Sequence, residues 1–198
     1  MSQPEMTFAG AITTCLRKYA VFRGRATRAE FWWWVLAVFI VSIALGMVDA
    51  VVEAVAGWDG FSVLSGLFSL ATLLPNLAVT ARRLHDIGKS GWWLLVWIVL
   101  GVGPWIILAG LVIGAVFGAF YAAGSAQGPA EFFVDVLTGL ALVWILAILA
   151  FIFALLITIA IVIWQIVWLA RQGEAGPNPY GPDPRAPEET PHADTAFA

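Results

Sequence analysis

Apolar positions dominate this chain in long, nearly unbroken runs, with short polar stretches between them. Helices of about 20 residues cover roughly 30 Å, the thickness of a bilayer's hydrocarbon core. The runs predict four spans, over residues 31–50, 61–81, 91–120 and 136–170. Ahead of them, Phe8, Ile12, Cys15, Leu16 and Tyr19 recur at helical spacing. They predict an N-terminal amphipathic helix, lying on the membrane or folded under the spans, with a solvated helix packed on the rest of the domain as the other reading. The expected fold is therefore an all-α polytopic membrane helix bundle, with four transmembrane helices plus an N-terminal interfacial amphipathic helix. The expected parts are a cytoplasmic N-terminus over 1–30, a membrane domain over 31–172 and an acidic, Pro-rich cytoplasmic tail over 173–198.

Several residues interrupt the apolar pattern. Pro75 removes a backbone donor inside span two, and Asn76 is expected to bond the freed carbonyl or a neighbouring helix. Gly101, Gly103 and Pro104 predict a kink in span three. Gly110, Gly114 and Gly118 share one face at a spacing that permits close helix contact, read first as packing within this protein and second as a surface for a homo-oligomer. Asp49, Glu53, Gly57, Trp58, Asp59 and Gly60 read as an acidic outer connection, and residues 122–130 as a second one. Trp144 and Trp164 lie one hydrocarbon thickness apart and bracket span four. Residues 131–143 would continue that helix outward, with Glu131, Asp135 and Thr138 on one face, or tilt would absorb the surplus.

Composition agrees with a membrane domain: 61% of the 198 residues are hydrophobic and 12% charged. Soluble proteins carry about 25% charged residues. One cysteine, Cys15, excludes an internal disulfide, and two distant histidines, His85 and His192, argue against a metal site. No cofactor, metal or nucleic-acid partner is expected. The first apolar run is expected to be retained rather than cleaved as a signal peptide. The tail holds six of the ten prolines and is mostly acidic, so most of it is expected to lack fixed structure; Pro177 to Pro184 are the exception, read as ordered against the membrane domain.

Charge sets the orientation. Four spans place all ten Lys and Arg on one side and leave only acids in the outer connections. This is the positive-inside pattern of a multi-pass protein with both termini cytoplasmic.

The candidate chemistry sits at the polar island from Arg82 to Trp93. Gly88-Lys89-Ser90 resembles the end of a P-loop, but Arg83 stands where that motif needs glycine and no strand precedes it. His85 and Asp86 are adjacent and point apart on a helix, whereas Arg82 and Asp86 share a face. A hydrolytic or transferase centre is disfavoured, since no serine, cysteine or second carboxylate is placed for it. The structural reading pairs Arg82 or Arg83 with Asp86 or Glu30, tying spans one and two together, and leaves His85 as a hydrogen-bonding residue that meets the tail. The binding reading gathers Arg25, Arg28, Arg82, Arg83, His85 and Lys89 into a site for an anionic lipid headgroup or small anion. The two readings overlap.

Three segments carry a family resemblance. They are Phe22-Arg23-Gly24-Arg25-Ala26-Thr27-Arg28-Ala29-Glu30-Phe31-Trp32, then Arg82-Arg83-Leu84-His85-Asp86 with Ser90-Gly91-Trp92-Trp93, then Asn178-Pro179-Tyr180-Gly181-Pro182-Asp183-Pro184. In that order they resemble the bacterial inner-membrane family catalogued as domain of unknown function 805. The resemblance covers roughly residues 10–105 and 165–185. It implies a membrane fold and supplies no activity. After Pro104 the chain departs from the family pattern, with a short apolar hairpin lengthened into two long helices. From the resemblance, Asn178, Tyr180 and Gly181 are marked as a cytoplasmic motif.

The expected function is that of a non-enzymatic inner-membrane protein. Its cytoplasmic-face Arg/His/Asp cluster is structural and open to an anionic lipid or a partner. The alternative is a small transporter or channel for a neutral solute, whose candidate midplane features are Pro75-Asn76 and the Gly101–Pro104 break.

Overall fold

The computed structural model describes residues 6–57, 62–124 and 128–186. The expected roles of Trp58, Asp59, Gly60, Ser125, His192 and the rest of the tail from residue 187 lie outside the described residues. Five helices follow in order: α1 (Phe8–Arg17), α2 (Arg28–Ala56), α3 (Val63–Asp86), α4 (Trp93–Ala123) and α5 (Pro129–Ala170). There are no strands among the described residues, and α2, α3, α4 and α5 are each long and apolar enough to cross a membrane. The protein is thus an all-helical membrane protein.

The helices run further than the apolar runs that foretold them. Asp49 and Glu53 lie inside α2, because an acid does not end a helix; Gly57, in the left-handed conformation at φ 66°, ends it instead. Asp49 also has a task. Its carboxylate accepts the backbone N–H groups of Leu64 (3.1 Å) and Ser65 (2.8 Å), which have no acceptor within α3's first turn. Arg82–Asp86, read as part of a polar connection, form the last turn of α3, and the connection proper starts at Ile87.

The chain divides into two compact units. The first contains α1, α2, α3, the turn to Leu94 and the described residues from Trp168 onward; the second is Leu95–Val167.

In the first unit, α2 and α3 pack side by side and α1 packs on both. The buried residues of α1 are Ala11 and Cys15, one turn apart, while Phe8 and Leu16 are exposed. Of the stripe read from spacing, Cys15 faces the spans beside Ala11, small side chains that permit close approach, while Phe8 and Leu16 leave apolar surface on the outer side. Phe8 still touches Trp33 edge-on at 5.7 Å.

Tyr19 lies past the end of α1 and supplies what Pro75 takes away. Proline at position 75 cannot donate to the carbonyl four residues back, that of Ala71. The Tyr19 hydroxyl donates to that carbonyl at 2.5 Å. Asn76 was one expected donor, but its Oδ1 instead accepts the Trp34 indole N–H at 2.7 Å, joining α2 to α3. Replacing Tyr19 with Phe should strand the Ala71 carbonyl and lower stability by about 1 kcal/mol. Unfolding of the purified protein in detergent would measure this, and an unchanged midpoint would mean the bond carries nothing.

In the second unit, α4 and α5 run antiparallel. The Trp105 indole donates to Thr158 Oγ1 at 3.0 Å and meets Phe151 edge-on, and a Cβ on Gly139 would come within 2.9 Å of Ala119 Cβ. The helix α4 continues through Gly101, Gly103 and Pro104 without interruption. An added Cβ at Gly110, Gly114 or Gly118 meets nothing within 4 Å among the described residues. With 42 residues, α5 is unbroken and about 63 Å long, twice a bilayer core.

Candidate functional site

The arginines foretold as an anion site meet in the first unit, at the start of α2 and the end of α3. The local chain explains the convergence. Thr27 caps α2, its Oγ1 accepting the Glu30 N–H at 3.1 Å. Glu30 stands at the position from which a capping-box carboxylate would turn back to the cap. Its Oε1 takes the Arg82 guanidinium instead, at 2.5 Å, with both side chains buried. The segment before the cap clings to α3 through the Ala26 N–H, which donates to the Arg82 carbonyl at 3.0 Å.

Asp86 is the centre of the second layer. Arg25 donates to its Oδ1 from Nε at 3.0 Å and lies 2.9 Å away at Nη2. Arg83, one turn back on the same helix, donates to Oδ2. The side chains of Arg25, Arg83 and Asp86 are at most 1% exposed. Arg185 reaches the same carboxylate at 4.0 Å from a partly exposed position.

Three buried arginines face two buried carboxylates, and carbonyl oxygens take further donors of Arg25 and Arg83, whereas Nε and Nη2 of Arg82 are buried without a hydrogen-bond partner among the described residues. Arg83 donates to Leu169 O at 2.9 Å and to Arg171 O, at the end of α5 where carbonyls lack helical partners. Arg25 donates to Gly176 O at 2.6 Å and Glu174 O at 2.5 Å. The same cations that neutralise Asp86 therefore hold the chain past α5. That chain also bonds back directly, from Glu174 N–H to the Asp86 carbonyl at 2.8 Å. Gly173 makes the approach feasible, since a Cβ there would stand 1.9 Å from Asp86 Oδ2.

The Asn178–Gly181 motif forms the third layer. Two backbone bonds of 3.0 Å between Asn178 and Gly181 close a turn, with Gly181 at φ 140°. Asn178 Oδ1 accepts the Tyr180 N–H, and its Nδ2 donates to the His85 carbonyl at 2.9 Å and to Glu174 Oε2 at 3.1 Å. The turn presents Tyr180 flat against the His85 imidazole, with ring centres 4.0 Å apart. His85 Nδ1 lies 3.1 Å from Gly24 O; a carbonyl only accepts, so the proton is on Nδ1. Further along, the Asp183 carboxyl is pushed up by desolvation but held down more strongly by Arg185 and the N–H groups of Arg185 and Gly176, to about 2. As a depressed carboxylate, its contribution to holding the tail is complete above the ordinary value of 3.8 and is lost only as pH falls through about 2.

Two candidates stand apart from this network. Arg28 is exposed and makes no ion pair among the described residues. Lys89 sits over the Trp168 ring at 5.3 Å, a cation–π contact. Residues that the sequence did not mark for the site are Gly173, Glu174 and Arg185, and Cys15, read from spacing only as part of the α1 stripe, also borders it. The Cys15 thiol lies 3.9 Å from Glu30 Oε1, and burial, then the Glu30 charge, pushes it up to about 11. It stays a neutral thiol at physiological pH. Among the described residues no three His, Cys, Asp or Glu side chains are placed to hold a metal.

The family described as "Protein of unknown function (DUF805)" matches residues 19–133, more than half of the chain. "Inner membrane protein YhaH" of Escherichia coli K12 is 36% identical over 96 residues, covering 47% of this chain and 75% of that protein. "Inner membrane protein YhaI" of the same organism is 39% identical over 93 residues, covering 47% of this chain and 74% of that one. "Uncharacterized protein YiiR" is 38% identical over 95 residues, covering 46% and 60%. No solved structure matches. The family match contains Arg25, Glu30, Arg82, Arg83 and Asp86, whereas the tail that Asp86 and its arginines hold lies beyond it.

Proposed function

The chain belongs to the DUF805 family of membrane proteins, and on that premise we propose that it is a non-enzymatic inner-membrane protein whose cytoplasmic face is an internal lock. Arg25 and Arg83 close on Asp86 and clamp the segment 173–186 beneath α2 and α3. The observation that carries this reading is the saturation of Asp86, whose two carboxylate oxygens are taken by two buried arginines. A carboxylate so held is a poor general base, and the one thiol is neutral.

The cytoplasmic assignment draws on charge and contacts together. All ten Lys and Arg fall on one side of a four-span chain, and Arg25, Arg83 and Arg185 converge on one carboxylate. A fluorescent-protein fusion after Ala198 should be bright, and an alkaline phosphatase fusion at the same place inactive. An active phosphatase would overturn the orientation. A neutral-solute path has little left to use, since Asn76 is engaged by Trp34 and the Ala71 carbonyl by Tyr19.

A further inference from the structure

Arg28, unlike the locked arginines, has no ion pair among the described residues, and it borders a groove. The groove, of about 430 Å³, is lined by Arg28, Ala29, Trp32, Trp33, Leu36 and Ala170. The helix repeat explains the lining. Arg28, Trp32 and Leu36 are four apart and form one row along α2, and Ala29 and Trp33 form the neighbouring row. The groove is cationic at its mouth and apolar for about 12 Å beyond it.

The geometry points to a phospholipid with a net anionic headgroup as the occupant, its phosphate on Arg28 and an acyl chain along Trp32 and Leu36. Three observations fix that class. Arg28 is exposed, and the carboxylate nearest in sequence, Glu30, is buried and taken by Arg82 at 2.5 Å, so the charge is not neutralised. Arg28 and Ala29 open α2, so their N–H groups have no helical acceptor and the helix dipole adds positive potential. The walls are two indoles and a leucine at the first turns of a membrane-spanning helix, where indoles favour the headgroup level. A small soluble anion would use the cation and leave the slot empty, whereas a phospholipid uses both. The lipid site rests on the membrane reading above and is separable from the Asp86 lock, because Arg28 makes no ion pair with Asp86 and acts on Arg83 only through charge repulsion.

The test uses the full chain purified in mild detergent and offered equal amounts of phosphatidylglycerol and phosphatidylcholine with identical chains, read by native mass spectrometry. Phosphatidylglycerol should be retained in preference. Arg28→Ala should cut its retention about fivefold, the effect of one basic residue at a lipid surface, with the thermal midpoint unchanged. Arg23→Ala, an exposed arginine outside the groove, should retain lipid as the wild type does. Leu36→Trp, which fills the slot, should cut retention of both lipids. Glycerol 3-phosphate should neither be retained nor displace lipid. Wild-type retention in Arg28→Ala, equal loss in Arg23→Ala, or displacement by glycerol 3-phosphate would each overturn the site. Because none of these variants touches Asp86, a failure here would leave the lock standing, and an unshifted midpoint in Asp86 variants, which would sink the lock, would leave the groove standing.

Discussion

Replacing Gly173 with Ala should release the C-terminal segment from the membrane domain. The added methyl would stand 1.9 Å from Asp86 Oδ2 and 2.5 Å from its Cγ, distances that no Cβ tolerates. The carboxylate cannot swing aside, because Arg25 holds one oxygen and Arg83 the other in a buried setting. Either the ion pairs open or the segment lifts. Lifting exchanges the segment's bonds, those from Glu174 and Asn178 to α3 and those that Arg25 and Arg83 donate to its carbonyls, for bonds to water, whereas opening the ion pairs strands a buried charge at a cost of about 3–5 kcal/mol. Lifting is the expected outcome. Trypsin should then cut rapidly at Arg171 and Arg185 while the helices survive. Gly88→Ala is the contrasting case. Its Cβ would meet Glu174 Oε1 at 2.1 Å, and the backbone sits at φ 70°. Glu174 is exposed and can move its end at the loss of one exposed bond from Asn178, so the left-handed strain, about 1 kcal/mol, is the main cost. Equal protease resistance in Gly173→Ala and wild type would mean the segment is not docked.

Asp86→Asn should be the most destabilising isosteric change in the protein. Asparagine keeps the shape and removes the charge, leaving the Arg25 and Arg83 guanidiniums buried with only carbonyl partners. A buried cation stripped of its partner costs about 3–5 kcal/mol, and thermal unfolding in detergent would register it. The same charge removed from the rim should matter little. Arg185 stands 4.0 Å from Asp86 and is 36% exposed, so Arg185→Ala should cost well under 1 kcal/mol from that contact. A near-wild-type midpoint for Asp86→Asn would show that the two arginines are satisfied without it.

Residue pattern made the membrane helices legible because hydrophobic length alone decides them. Their ends were less so. Asp49 and Glu53 look like connection residues in composition, yet a helix stops where its backbone can turn, at Gly57. The Arg/Glu/Asp cluster was legible as a set, and the pairings in part. Arg82 and Asp86 share a face at i,i+4, but Glu30 of α2 claims Arg82 while Arg83 takes Asp86; tertiary packing overrode the local spacing. Pro75 announced a freed carbonyl, and its donor proved to be Tyr19, 52 positions back from Ala71 and beyond the reach of any local rule. Within the tail, Pro177–Pro184 were legible as ordered against the membrane domain, but not the contacts that hold them. The tail's proline and acid content describes a chain that buries no apolar surface, and segment 173–186 indeed docks by other means. It uses backbone bonds, a glycine that lets a carboxylate approach, and a turn that lays Tyr180 on His85.

Hydrogen exchange at the Glu174 amide, followed by mass spectrometry on the wild-type protein and on Asp86→Asn, addresses the lock at its hinge. In the wild type this N–H is donated to the Asp86 carbonyl at 2.8 Å, beneath a carboxylate held by two arginines. It should be protected well beyond an open chain. In Asp86→Asn that protection should fall while peptides from the middle of α2 and α3 keep theirs. A Glu174 amide that exchanges at the open-chain rate in the wild type would contradict the lock outright.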